Sequence, residues 1–190
     1  MSTTQTPLAS ARPRRLGTRD LRLTLRIAAK PEEVYRALTS ARELCRWWLS
    51  GAETDARNAG RYRMVWPRIK GKNGSRSFPA AAFRECEGHF VDLEPGRKVA
   101  WMWKLPRRRM IFPPLSSFFI RPLKRGCEVT LLHAGFPKSP SADKYYQGCA
   151  LGWEDCLAKL KLYLETGKAC KSQILDFVRM RSLKRGSGGA

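Results

Sequence analysis

The hydrophobic pattern switches between the period of a strand and that of a helix along the chain. From Asp20 to Ile27, Leu21, Leu23, Leu25 and Ile27 alternate with Asp20, Arg22, Thr24 and Arg26, which predicts a strand with one face to a core. Pro31 then stands where a helix has its first residue, and Glu32 and Glu33 suit the positive end of that helix. Ser40-Ala-Arg-Glu43 reads as a capping box for a second short helix carrying Leu44, Trp47 and Trp48. Alternation returns from Gly60, where Tyr62, Met64 and Trp66 oppose Arg61 and Arg63. Further strands are predicted over 85–93, 98–105, 115–121 and 127–135, with Glu94-Pro95-Gly96 and Lys124-Arg125-Gly126 as turns and 67–84 as loop. Last comes a helix: Tyr146, Cys149, Ala150, Trp153, Leu157, Leu160 and Leu164 make one apolar stripe, and Gly167 stops it. Glu154, Asp155, Lys159 and Lys161 fall largely off that stripe.

This order predicts an α+β domain, a curved antiparallel sheet whose concave face is covered by the final helix. The 190 residues suit one such unit. It is expected over residues 20–167, after a disordered basic arm (1–19) and before a basic tail (168–190) that is helical in part around Ile174, Phe177 and Val178.

Charge adds a second theme. Thirty-seven Lys and Arg against 16 Asp and Glu give +21, more than solubility requires, so the surface is either simply basic and solvated or built for an anionic partner. Between Arg97 and Gly126 there are nine bases and no acid. Candidates for an anionic surface are Arg107, Arg108, Arg109, Lys124 and Arg125, with Arg179, Arg181, Lys184 and Arg185 in the tail. An anionic membrane would suit them, with Phe177 and Val178 as the buried side of an interfacial helix. No base-reading motif is present, which speaks against sequence-specific nucleic-acid recognition. The apolar stretch Met110 to Leu123 is interrupted by Pro113, Pro114 and Arg121, so it predicts no membrane span. With no secretory signal visible either, the expected location is the cytoplasm. Six cysteines form no CxxC pair and the two histidines lie far apart, so neither a metal nor a cofactor is expected.

Several segments together resemble a known family. They are Ala29-Lys-Pro-Glu-Glu-Val34-Tyr-Arg-Ala-Leu-Thr39 with Leu44-Cys-Arg-Trp47-Trp48, Asp55-Ala-Arg-Asn-Ala-Gly60, and Glu87-Gly88-His-Phe-Val-Asp-Leu-Glu94-Pro95 before Val99-Ala-Trp101. His133-Ala-Gly135-Phe136 and Gly152-Trp153 through Leu160-Lys-Leu-Tyr-Leu164-Glu-Thr-Gly167 complete the set. In order and spacing they resemble the START-like (SRPBCC) superfamily, in the branch named for the activator of heat-shock-protein-90 ATPase, homologue-1-like. The resemblance covers roughly residues 20–167. It implies the helix-grip (START/Bet v 1-like) fold and a cavity between sheet and long helix. Relatives bind apolar molecules there, some are enzymes, and a few act on a chaperone.

The expectation is therefore a non-catalytic binding protein for a small apolar or aromatic ligand. The alternatives are a chaperone-regulating or other protein-interaction domain, and a cyclase- or hydrolase-type enzyme. Trp47, Trp48, Tyr62, Trp66, Trp101, Trp103, Tyr146 and Trp153 are the candidate lining residues, since each joins an apolar body to a hydrogen-bonding tip. The same residues equally suit a filled core. Gly148 and Gly152 leave room or allow close backbone approach on the helix. His133, the histidine on an apolar strand face, is a candidate partner for a ligand carboxylate, an acid or base, or a structural group.

Overall fold

In the computed structural model, which describes residues 17–67, 84–104 and 113–182, the first alternating segment is strand β1 (Thr18–Ile27). Leu21, Leu25 and Ile27 are buried, and Arg22 and Arg26 are exposed. Two short helices follow, α1 (Pro31–Thr39) and α2 (Ala41–Trp47). The Lys30 backbone N–H donates to Glu33 Oε2 at 2.7 Å, which satisfies a donor that the first helical turn leaves open. Ser40 Oγ accepts from the Glu43 N–H at 3.5 Å and opens α2. Then come β2 (Gly51–Thr54), β3 (Arg61–Val65), β4 (Glu85–Glu94), β5 (Lys98–Trp103), β6 (Leu115–Pro122) and β7 (Cys127–Pro137). The helices α3 (Pro140–Thr166) and α4 (Phe177–Ser182) end the chain's described part.

The strands form one antiparallel sheet in the order β1-β7-β6-β5-β4-β3-β2. Its concave face is packed against α3, with α1 and α2 closing beside it, which is the helix-grip arrangement expected from the sequence. Strand β2 is an addition to that expectation. Its Gly-Ala-Glu-Thr sequence has no alternation to read, and it is a strand because it pairs with β3 from Gly51↔Val65 to Thr54↔Tyr62. Helix α3 also starts earlier than its apolar stripe, at Pro140. It ends at Gly167, whose φ of 71° is the left-handed cap geometry that glycine adopts without a Cβ penalty.

Lying off the apolar stripe of α3 does not leave Asp155, Lys159 and Lys161 in solvent. They are 4%, 2% and 6% exposed, because two other parts of the chain cover the helix's polar side. The segment after α3 folds back over Asp155 and Lys159. These two pair at 2.6 Å, the Leu175 N–H donates to Asp155 Oδ1 at 2.9 Å, and Lys171 Nζ reaches the Cys45 and Leu49 carbonyls at 2.8 and 3.2 Å. Phe177 is buried in the core rather than presented outward, while Val178 is 72% exposed. Hence Phe177 is not the buried side of an interfacial helix. Lys161 instead meets the open edge of β1, donating to the Arg26 carbonyl at 3.0 Å beside Glu165.

Candidate functional site between sheet and long helix

Strand alternation turns Tyr62, Trp101 and Trp103 inward, Trp66 follows directly on β3, α2 delivers Trp47 and Trp48 at its end, and α3 supplies Trp153. All are buried. Trp48 sits amid the cluster, with ring centroids 5.5 Å from Trp47, 5.7 Å from Trp66, 6.0 Å from Trp101 and 6.3 Å from Trp153. Trp66 stacks on Trp103 at 6.1 Å, and Tyr62 meets Phe90 edge-on at 5.4 Å. Such pairs add about 0.5–1.5 kcal/mol each to plain burial. The sequence-predicted set therefore converges, with one member at its margin. Tyr146 is half-buried, edge-on to Phe136 at 5.2 Å and with the Arg19 guanidinium 4.0 Å over its ring. On α3, Gly152 is buried and Gly148 half-buried.

The polar tips in this cluster decide what it can do. Trp153 Nε1–H donates to His133 Nδ1 at 3.0 Å, and His133 Nε2 lies 2.7 Å from the Pro113 carbonyl. A carbonyl only accepts, so the proton is on Nε2 and the ring is neutral. Burial pushes its pKa down to about 4, against the opposing pull of that carbonyl. Both ring nitrogens are thus engaged within the protein, which leaves His133 in a structural role here and not poised as an acid or base. Trp103 Nε1–H donates to the buried Ser116 Oγ at 3.0 Å, Trp47 Nε1–H to the Ala37 carbonyl at 3.0 Å, and Tyr62 Oη to the Met102 carbonyl at 3.1 Å. Trp66 Nε1 and Trp101 Nε1 are buried and have no partner among the described residues. Ser116, Phe118 and the Pro113 carbonyl were not among the site candidates read from sequence. The first two occupy inward positions of β6, so a closer reading of that strand's alternation would have found them.

The basic candidates are spread over the surface. Lys124 and Arg125 are exposed at the β6–β7 turn, and Arg179 and Arg181 on α4, whereas Arg107, Arg108, Arg109, Lys184 and Arg185 lie outside the described residues. A separate concavity of about 520 Å³ opens on the other side of β2, β3 and β4, lined by Arg61, His89, Glu87 and Lys104 among others. Among the described residues no group of three or more His, Cys, Asp or Glu side chains is placed to hold a metal. No helix there is long and apolar enough to cross a membrane.

The family model for Activator of Hsp90 ATPase homolog 1-like protein matches residues 28–165. The chain belongs to that family. As a member of the Hsp90-activator-homologue-like family it also shares its fold with solved structures. Protein MLL2253 from Mesorhizobium loti superposes with a TM-score of 0.60 at 20% identity, over 79% of this chain and 99% of that one. The Aha1 dimer from Colwellia psychrerythraea gives 0.60 at 20% identity, over 79% and 98%. An AHSA1-like protein from Rhizobium etli gives 0.52 at 18%, over 79% and 84%. At such identities the likeness carries the fold alone. No curated protein sequence matches the chain. The Hsp90-activator-homologue-like match ends at residue 165, so the segment that covers Asp155 and Lys159 lies beyond it.

Proposed function

We propose that this domain acts by binding a protein partner, as a regulator of an ATP-driven chaperone of the kind its family is named for. The observation that carries this reading is the packed aromatic cluster. Between sheet and long helix the protein's own rings stand with centroids 5.5–6.3 Å apart around Trp48, and such ring-to-ring packing supports recognition at the outer surface. That surface is strongly basic overall, in keeping with an acidic partner face reached by electrostatic steering. The test is phosphate release by the Hsp90-type ATPase of the same host. Saturable stimulation of turnover by several-fold, weakening as salt rises, supports the proposal; unchanged turnover at saturating domain concentration rejects it.

A second reading, a small aromatic ligand admitted into the cluster, is favoured by the two buried indole N–H groups of Trp66 and Trp101 that lack partners among the described residues. An orphaned buried donor costs about 1–3 kcal/mol, and a ligand bearing an acceptor oxygen would recover that. Native mass spectrometry of the protein from its own host distinguishes the two readings. A retained apolar molecule of stoichiometric mass supports ligand binding, and a bare chain speaks for the protein-partner reading.

A further inference from the structure

We propose that the outer face of β3 and β4 carries a site for a small organic oxyanion, a phosphate monoester or carboxylate, held between Arg61 and His89. The site lies on the side of the strands away from the aromatic cluster and is independent of either reading above. Its volume, about 520 Å³, falls within the range of small-molecule sites. Its lining carries three carboxylates and three bases, but they do not all pair with one another, because Asp55 is held by Arg57 from outside the lining. Each carboxylate that lines it already has a base: Glu53 has Arg63 at 3.1 Å, Asp55 has Arg57 at 2.7 Å, and Glu87 has Lys104 at 3.1 Å. What remains is Arg61 and His89. They stand directly opposite each other in the β3–β4 ladder, both exposed, and neither has an ion pair or side-chain hydrogen bond among the described residues.

Directly opposed residues hold their Cβ atoms about 5 Å apart, close enough for a guanidinium and an imidazole to grip one anion. Arginine brings N–H donors and no acceptor, and its planar fork matches the two oxygens of a carboxylate or phosphate. The pocket therefore asks its occupant for acceptors. Behind these strands, on the cluster side, the Tyr62 ring lies against Gly88, where a Cβ would stand 2.3 Å from the tyrosine hydroxyl and 2.2 Å from the Met102 carbonyl, so a larger residue at 88 would displace the strands that carry the site.

The probes are phenyl phosphate, benzoate and inorganic phosphate, titrated by calorimetry and by NMR of the arginine Nε–H signals on the full chain. Phenyl phosphate is expected to bind more tightly than inorganic phosphate. Arg61→Gln is expected to weaken it at least tenfold and His89→Gln at least threefold, while Arg125→Gln on the β6–β7 turn leaves it unchanged. Both site variants alter exposed positions, and their melting temperatures are recorded beside the affinities; should one fail to fold, the other decides. Equal loss in Arg61→Gln and Arg125→Gln would overturn the site, because it would mean general attraction of anions to a basic protein. Inorganic phosphate binding as tightly as phenyl phosphate would overturn the organic part of the proposal.

Discussion

Trp66, Trp101 and Trp153 are chemically alike and placed in one cluster, yet their replacement is expected to have unequal consequences. Trp153 supplies the hydrogen bond to His133 Nδ1, so Trp153→Phe strands a buried acceptor and should cost about 1–3 kcal/mol beyond its lost packing. Trp66→Phe and Trp101→Phe each remove a donor that has no partner among the described residues and should cost distinctly less, which denaturant unfolding of the three variants would show. If all three lost the same stability, the hydrogen-bond assignments would be wrong. His133 adds a pH dependence. Its folded pKa of about 4 lies below the ordinary unfolded value of about 6.5, so the unfolded chain takes the proton first. Its neutral ring contributes fully above about pH 6.5, and that contribution falls away as pH drops toward 4, by on the order of 3 kcal/mol. Unfolding curves between these limits should be steeper in pH for the native chain than for His133→Gln; identical slopes would remove His133 as the cause. The ring residues were legible because strand alternation counts them inward. Which indoles have partners was not, since Pro113 and Ser116 reach the cluster from distant parts of the chain.

At the scale of elements, α3 is where sequence and structure part company. Its apolar stripe was read correctly, and Cys149, Trp153, Leu157 and Leu160 are buried along it. The burial of its polar side was not legible, because helical spacing tells which residues share a face and nothing of what later chain covers it. The Asp155–Lys159 pair shows the difference. Burial pushes the Asp155 carboxyl upward in pKa, against the pull of the Lys159 ammonium and the Leu175 N–H. Asp155→Ala leaves that ammonium buried without its counterion and is expected to destabilise by about 3–5 kcal/mol. The double variant Asp155→Leu, Lys159→Met should cost less, since apolar residues of similar size need no counterion. Hydrogen exchange over 171–180 should quicken in Asp155→Ala, because the Leu175 amide loses its acceptor. Unaltered exchange there would mean that Phe177 and the Lys171 contacts hold the segment without Asp155. β2 escaped the sequence reading for a related reason: a short strand without alternation is defined only by its neighbour.

For the molecule as a whole, the order of elements sufficed to reach a curved antiparallel sheet covered by a final helix, and the family resemblance implied that this is the helix-grip fold. The charge of +21 was equally plain, but net charge speaks of self-repulsion and partners rather than of fold. That repulsion gives a bulk prediction. Screening by salt should raise the melting temperature by a few degrees between low and physiological ionic strength, as followed by circular dichroism, and a fall over that range would show that specific ion pairs outweigh the net charge.

The contacts between α3 and the outer side of β1 bear on how the protein behaves in crowded company. A sheet that does not close has two bare edges, and each is a template on which another chain can add a strand. Along β1, the Asp20 carbonyl accepts from Tyr146 Oη, the Arg26 carbonyl from Lys161 Nζ, and the Ala28 N–H is spent on Glu165. A strand seeking to add there would first have to lift the long helix away. The opposite edge, β2, has only four residues, one of them the charged Glu53, so it offers a short and poorly matched template. With one margin guarded by a helix and the other by brevity, the domain is protected against edge-to-edge aggregation without having to close its sheet into a barrel.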